Sequence, residues 1–394
     1  MIQTVLYDKP FPATVAALYQ AVSTAFRADI SDQWDSAVFS TRVQGGYERL
    51  TLNINEDLDE MWRWYSERLG NHISVYDEYT DTMYEGIVWD IRLNWVGGNS
   101  YGISLGEMYN YVRVRYSQKI AGSVDRNHTP TNVGVTDADS IAIWGVKETI
   151  ETPGDMEDTV ATNYANTMIG ERAWPEPKPN LSIPGMGSNP SLTVSCLGYW
   201  ATLNYRMFFD TTEAVVMTNA QISNLVDGTW NDAAINLWCS LLNPSTFYIN
   251  GTNLNQTQHV ENELTVQRRM LDLIEPGDTT FNRYFIGVWN DRILHIYPLP
   301  THGRDGYTAS GDRRSHQWYI DIGKGKLYDT MMAEWPVHRL KAGDMCTVLD
   351  VPLAKNQFIV GRTNFSTMNS TMTIQPYVGG RTSEQMLAQV ALQE

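Results

Sequence analysis

The alternation of apolar and polar residues between positions 37 and 93 predicts strands on either side of a short helix. Leu52 and Ile54 alternate with polar neighbours, which is typical of a strand with one buried face. Residues 56–69 instead place apolar side chains at helical spacing. Gly70 follows directly, and glycine at that place commonly ends a helix.

Two further strands follow the helix, at 73–79 and 84–91, with a turn at 80–82 between them. A short helix between two strand pairs is the pattern of a small barrel crossed by one helix. The order recurs later, where helical spacing at 264–274 precedes a hairpin at 284–297. We therefore predict a mainly β (α+β) fold, with tandem small β-barrel modules, each with an associated short helix, plus a small α/β insert.

Stretches rich in proline, glycine and polar residues divide the chain into four predicted units. They are a first β-barrel domain at 1–125, a small α/β linker or insert at 126–190, a second β module at 191–300, and a C-terminal β-strand region at 301–394. The last unit completes the second half and ends in a predicted helix at 382–392.

The insert contains a helix that we predict at 155–170, ended by Gly170. Its apolar residues recur at i, i+4 spacing and form one stripe. The stripe consists of Met156, Val160, Tyr164 and Met168.

Composition excludes some function classes. The 394 residues carry a net charge of -16 and no run of Lys or Arg longer than two, so the basic stripe of a nucleic-acid groove is missing. The 13 Trp and 21 Tyr suit a large aromatic core and equally interfaces between chains, and both interpretations stay open. No signal peptide is visible, and no apolar run approaches the roughly 18 residues needed to span a bilayer.

The three cysteines, Cys196, Cys239 and Cys346, are widely spaced and form no CxxC motif. An odd number at such spacing argues against a disulfide framework or a zinc site. We expect buried free thiols in a reducing compartment.

The search for reaction chemistry gives only weak candidates. The seven histidines form no HxH or HExxH pair, so we predict no metal site. The acidic pairs Glu56-Asp57, Asp59-Glu60 and Asp77-Glu78 could serve glycoside hydrolysis, but acidic residues at a helix start complement its dipole. No phosphate-binding loop or GxSxG elbow occurs. We predict no catalytic, cofactor-binding or metal-binding residues, no cofactor, and no enzymatic activity.

Five short motifs follow one another in the first part of the chain. They are Gly45-Gly46-Tyr47, Leu52-Asn53-Ile54, Leu69-Gly70, Val75-Tyr76-Asp77 and Tyr84-Glu85-Gly86-Ile87-Val88. In this order they resemble the opening domain of the tail hub proteins of tailed bacteriophages, which form the ring of the baseplate or tail tip and include minor tail proteins.

Two later segments extend the resemblance to about residues 37–300. The segment from Ser140 to Glu148 matches the family's S-x-x-x-(Y)-G-x-x-E pattern, with Trp144 where tyrosine is commoner. The segment from Phe285 to Trp289, followed by Pro298-Leu299-Pro300, is similar to the family's second hairpin.

The resemblance implies a structural virion protein that forms a homotrimeric hub ring at the distal end of a phage tail, after assembly in the host cytoplasm. Two β modules per chain would let three copies match a six-fold tail tube. The implied partners are further copies of the chain, the tail tube or distal tail protein, the tip or fibre protein, and the tape-measure protein. DNA would only pass through the lumen, and no segment would enter a membrane. A related contractile device of a cell stays open.

Two alternatives make different structural predictions. A carbohydrate-binding distal tail or tail-tip protein predicts a concave, exposed cluster of Trp and Tyr. A glycan hydrolase predicts two carboxylates about 5–10 Å apart in a cleft. A hub predicts instead large apolar strips that become buried only between chains.

Overall fold

The computed structural model describes residues 2–9, 26–78, 80–95, 99–120, 123–124, 131–180, 190–205, 207–208, 248–249, 264–265, 267–268, 271, 283–299, 306–309, 313–321, 326–334, 341–343, 345–348, 357–368 and 371–377.

The first part of the chain forms antiparallel strands beside one helix, as the pattern at 37–93 predicts. The elements are β1 (Gln3–Tyr7), β2 (Phe26–Asp29), β3 (Trp34–Arg42), β4 (Gly45–Ile54), α1 (Leu58–Glu67), β5 (His72–Tyr76), β6 (Thr82–Asn94) and β7 (Ser100–Ser104). The strands pair in the order β2-β1-β5-β6-β7, and β3 and β4 form a hairpin.

Local residues account for the limits of α1. Asp57 is the N-cap, and its carboxylate accepts a hydrogen bond of 2.9 Å from the backbone N–H of Glu60. Gly70 adopts a φ of 79°, and its N–H donates to the carbonyl of Val88 at 2.8 Å. The helix buries Met61, Trp64 and Tyr65 on its inner face.

The insert is a small mixed sheet covered by a helix. Its elements are β8 (Tyr111–Ile120), β9 (Ser123–Val124), β10 (Thr131–Thr136), α2 (Ala138–Trp144), β11 (Glu148–Met156) and α3 (Asp158–Arg172). β8 lies between antiparallel β10 and parallel β11. Because β8 pairs with these strands, the insert's sheet begins before residue 126.

The predicted helix at 155–170 exists as α3, but its buried face differs from the predicted stripe. Val160 is 49% exposed and Tyr164 38% exposed. Ala161, Ala165 and Ile169 pack on the sheet instead. The small side chains of Ala161 and Ala165 let the helix lie close to the strands, and Met168 of the predicted stripe packs partly buried against the same core.

The next part of the chain returns to the first sheet. Its strands are β12 (Lys178–Asn180), β13 (Ser191–Leu197), β14 (Met207–Phe208), β15 (Tyr248–Ile249), β16 (Leu264–Thr265), β17 (Arg283–Trp289) and β18 (Ile293–Leu299). Of these, β14 and β16 form a separate two-stranded sheet, and the others belong to the first sheet. β13 lies between β4 and β6 and pairs with both. β17 and β18 form the predicted second hairpin, joined by a 3-10 turn at Asn290–Arg292.

The C-terminal strands join the same sheet. They are β19 (Gly306–Ala309), β20 (Arg313–Asp321), β21 (Lys326–Glu334), β22 (Met345–Val348), β23 (Gln357–Ser366) and β24 (Thr371–Pro376). They include the strands predicted near 317–322, 344–351 and 356–362. β23 pairs with β3, so strands from the two ends of the chain are neighbours. The terminal helix predicted at 382–392 lies outside the described residues.

The mainly β (α+β) fold with an α/β insert is confirmed, but the described strands do not close into barrels. The order of strand pairing is the reason. β13 lies between β4 and β6, and β3 pairs with β23 rather than with β1 or β2. One large core therefore contains residues from Leu6 to Ile374, and the insert has its own small core. The four-unit division stays a prediction.

Candidate functional site

The glycine motif at the start of β4 lies against the second hairpin. Gly45 and Gly46 pair with Gly287 and Val288 of β17. Gly46 has a φ of 84°, and a Cβ on it would lie 2.1 Å from the carbonyl oxygen of Val288. Only glycine permits this approach, so the motif serves the contact between the two halves of the chain.

A polar cluster holds the turn of the second hairpin in place. Tyr47 Oη and Asn290 Oδ1 form a short hydrogen bond, and Lys341 Nζ donates to Tyr47 Oη at 2.7 Å and to Asn290 Oδ1 at 3.1 Å. The rings of Tyr47 and Trp289 meet edge to face with centroids 5.3 Å apart. Residues from three predicted units thus meet at one point.

A second buried network surrounds His72. Its Nδ1 lies 2.5 Å from the Tyr199 hydroxyl, and its Nε2 lies 2.9 Å from Ser74 Oγ and 3.5 Å from Glu85 Oε1. The other oxygen of Glu85 accepts the backbone N–H of Arg292 at 3.1 Å. Glu85 of the aromatic-Glu-Gly motif therefore reaches the hairpin turn.

Burial decides what this network can do. Ser74, His72 and Glu85 are the residue types of a hydrolase triad, but each is less than a tenth exposed. Burial, and then the charge of Arg292, lowers the pKa of His72 to about 3, so the imidazole is neutral at pH 7. Substrate has no access to these groups, and the network holds strands together. The sequence analysis missed His72; its only signal was the neighbouring Glu85 motif.

The motif from Ser140 to Glu148 is held within the insert by Asn110, which directly precedes β8. The Asn110 amide donates to Gly145 O at 2.7 Å and to Ser140 Oγ at 3.2 Å, and its Oδ1 accepts the N–H of Lys147 at 2.7 Å. Glu148 forms an ion pair with Arg113 of β8. The motif residues Ser140 and Glu148 are buried, so they also serve structure.

Lys147 crosses from the insert into the large core. Its Nζ donates to the carbonyls of Leu105 and Gly106, and it lies 4.8 Å from the ring centroid of Trp89 and 5.2 Å from that of Tyr205. Burial lowers the pKa of Lys147 to about 7, although the nearby charge of Glu107 opposes the shift. The amine is held by carbonyl dipoles and aromatic faces, which partly replace water.

One surface cleft of about 340 Å³ opens where the insert meets the large sheet. Arg172 and Glu171 line it from the end of α3, and Trp174 and Glu176 from the connector that follows. Lys178 and Glu107 form an ion pair at the same cleft.

The remaining acidic and cysteine residues considered in the sequence analysis take part in the packing and turns of the fold. Asp77 accepts the backbone N–H of Asp81 at 2.9 Å and shapes the hairpin turn. Cys196 is a buried free thiol, as expected, and burial raises its pKa; the side chains of Cys239 and Cys346 lie outside the described residues.

Among the described residues, no group of His, Cys, Asp and Glu could hold a metal ion. In that same part of the chain, no helix is both long enough and apolar enough to cross a membrane.

Comparison with known proteins gives structural likeness only. No family model and no curated protein sequence matches the chain. The 43 kDa tail protein of prophage MuSo2 from Shewanella oneidensis is similar, with a TM-score of 0.47 and 8% identity over 96% of this chain and 97% of that one. The tail protein from Neisseria meningitidis MC58 is similar with a TM-score of 0.45 and 8% identity, over 96% of this chain and 97% of that one. Prophage tail protein gp18 from Listeria monocytogenes EGD-e is similar with a TM-score of 0.41 and 8% identity, over 99% of this chain and 98% of that one. All three are tail proteins.

Proposed function

We propose that this chain is a structural protein of a phage tail, and that three copies form the hub ring at its distal end. The tail tube or distal tail protein would contact one side of the ring. The tip or fibre protein and the tape-measure protein would contact the other, and DNA would pass only through the lumen. The mature protein would reside in the virion tail after assembly in the host cytoplasm.

The observation that carries the proposal is that the motif residues lie at buried contacts between distant parts of the chain. The glycine motif at Gly45-Gly46, Glu85 and the second hairpin come from distant parts of the chain, yet they meet at one buried junction. Lys147 of the motif from Ser140 to Glu148 joins the insert to the large core, because its Nζ donates to the carbonyls of Leu105 and Gly106. Motifs that fix the relative position of strands, rather than line a cleft, are what a structural ring protein requires.

The acidic charge of the chain supports a lumen through which DNA slides. A net charge of -16 disfavours phosphate contacts that would retain DNA. Negative side chains that face the lumen of an assembled ring are therefore expected.

The test is the mass of the purified chain by light scattering, with electron micrographs of the same sample. We expect three copies of the 44.7 kDa chain and rings with a central hole. A monomer at every concentration, with no rings, contradicts a self-assembling hub. That result would favour the carbohydrate-binding alternative, and cell-wall cleavage assays would then test the hydrolase alternative.

A further inference from the structure

The cleft beside α3 contains an indole ring held in a fixed orientation. The Nε1–H of Trp174 donates to the carboxylate of Asp137 at 3.2 Å, and the side chain is 43% exposed. The hydrogen bond satisfies the ring's only polar group. The ring can therefore offer an apolar face to a ligand without leaving a buried donor unpaired.

The cleft is part of the rigid junction between the insert and the large sheet. The carbonyl of Arg172 accepts the backbone N–H of Tyr109 at 2.8 Å, which ties the end of α3 to the chain beside β8. Lys178 lies in β12, which pairs with β7 of the large sheet. Backbone hydrogen bonds therefore fix the end of α3 and β12, on either side of the connector that carries Trp174 and Glu176.

Charged side chains of both signs line the cleft. Glu171 and Glu176 offer acceptors, Arg172 offers donors, and Lys178 and Glu107 compensate each other. Three carboxylates and two cationic side chains give the lining a net charge of -1, which disfavours an anion and leaves only a weak field to select a cation. A neutral molecule with many hydroxyl groups can use donors and acceptors together.

We infer that this cleft binds a saccharide, with one sugar ring stacked on Trp174 and its hydroxyl groups bonded to Glu171, Arg172 and Glu176. Sugar rings have an apolar face that suits an indole, and their hydroxyls both donate and accept. The volume of about 340 Å³ lies at the lower end of small-molecule pockets, roughly 300–1,000 Å³. This matches one or two sugar residues at a chain end. The inference does not depend on ring formation.

The experiment is saturation-transfer NMR on the purified chain with chitotetraose, maltotetraose and soluble peptidoglycan fragments, followed by calorimetry on any binder. We expect at least one saccharide to bind, with its ring protons nearest the protein. Trp174→Ala and Glu176→Ala should each weaken that binding at least tenfold. Tyr164→Ala, at a similarly exposed aromatic residue of α3, is the matched control and should bind normally.

Three results would overturn the inference. The first is the lack of binding by every saccharide in the panel at millimolar concentration. The second is unchanged binding by Trp174→Ala when its melting temperature matches that of the parent chain. The third is binding of tetralysine or inorganic phosphate in place of saccharides. The light-scattering mass of each variant separates this outcome from failure of the hub proposal, because cleft variants should not change the mass.

Discussion

At the residue scale, the need for glycine in the first motif arises from a contact with a distant strand and not from the motif itself. The sequence predicts a glycine turn between two strands, but the turn lies at residues 43–44 and the two glycines begin β4. It cannot show that the carbonyl of Val288 occupies the space where a side chain would stand. The requirement comes from a strand about 240 residues away, so no local pattern contains it.

Substitution of Gly46 by alanine should strongly destabilise the chain. The new Cβ would meet Val288 O at 2.1 Å, and the residue would keep a φ of 84° that alanine disfavours. We expect a loss of more than about 3 kcal/mol in the free energy of unfolding, measured by urea titration. Gly170→Ala in α3 is the control, since its Cβ would meet no atom within 4 Å. It should gain about 0.5 kcal/mol, and equal effects of both changes would contradict the assignment.

Lys147 gives a pH dependence with a definite sign. Its pKa is lowered from 10.5 to about 7 in the folded chain, so between these values the unfolded chain binds more protons. Stability should therefore rise with pH across that window, by up to about 1.4 kcal/mol per unit from this group. The free energy of unfolding of the parent chain minus that of Lys147→Met should increase by about 2–3 kcal/mol between pH 7 and pH 9. A difference that stays constant with pH would show that the amine is not desolvated.

At the element scale, the local pattern of apolar residues predicted where helices and strands occur better than it predicted which side of each helix is buried. Asp57 caps the first helix through its near neighbour Glu60, and Gly70 follows the helix end with a positive φ. The predicted stripe was wrong at Val160 and Tyr164, which are exposed, whereas Met156 and Met168 pack partly buried against the insert's core. Which side of a helix packs is decided by the sheet it meets, and here that sheet accepts Ala161 and Ala165.

Two substitutions to leucine on α3 test this orientation. Ala165 is fully buried against the insert's sheet, so Ala165→Leu should overpack the core and cost about 1–3 kcal/mol. Val160 is exposed, and Val160→Leu should change the free energy of unfolding by less than about 0.5 kcal/mol. Thermal or urea unfolding of both variants measures the difference. The reverse order of effects would mean that the helix faces the sheet with the predicted stripe.

At the scale of the whole molecule, the strands and hairpins were predictable but their partners were not. β13 and β23 read as ordinary strands in the sequence, and nothing near them indicates that they pair with β4, β6 and β3. Pairing over such distances depends on the complete ladder. The surface cleft was likewise hidden, because its residues come from β7, α3 and the connector and converge only in the fold.

The two cores predict two units of local unfolding whose limits differ from the four predicted units. Leu50 belongs to the large core and Ala165 to the insert's core. Leu50→Ala should cost about 2–5 kcal/mol and speed amide hydrogen exchange in β3, β4, β13 and β23 together. Ala165→Leu should speed exchange in β8, β10 and α3 instead, because these elements share only the small core.

Hydrogen exchange followed by mass spectrometry resolves these segments as separate peptides. If β23 kept its protection in Leu50→Ala while β3 lost it, the C-terminal strand region would be an independent domain and the division at residue 301 would hold. If both lose protection together, the pairing of β3 with β23 makes the two ends of the chain one cooperative unit. We expect the second result, because Thr41 Oγ1 and Thr363 Oγ1 are hydrogen-bonded at 2.6 Å inside the core that Leu50 fills. A chain built this way could not exchange its C-terminal strands without opening its first sheet.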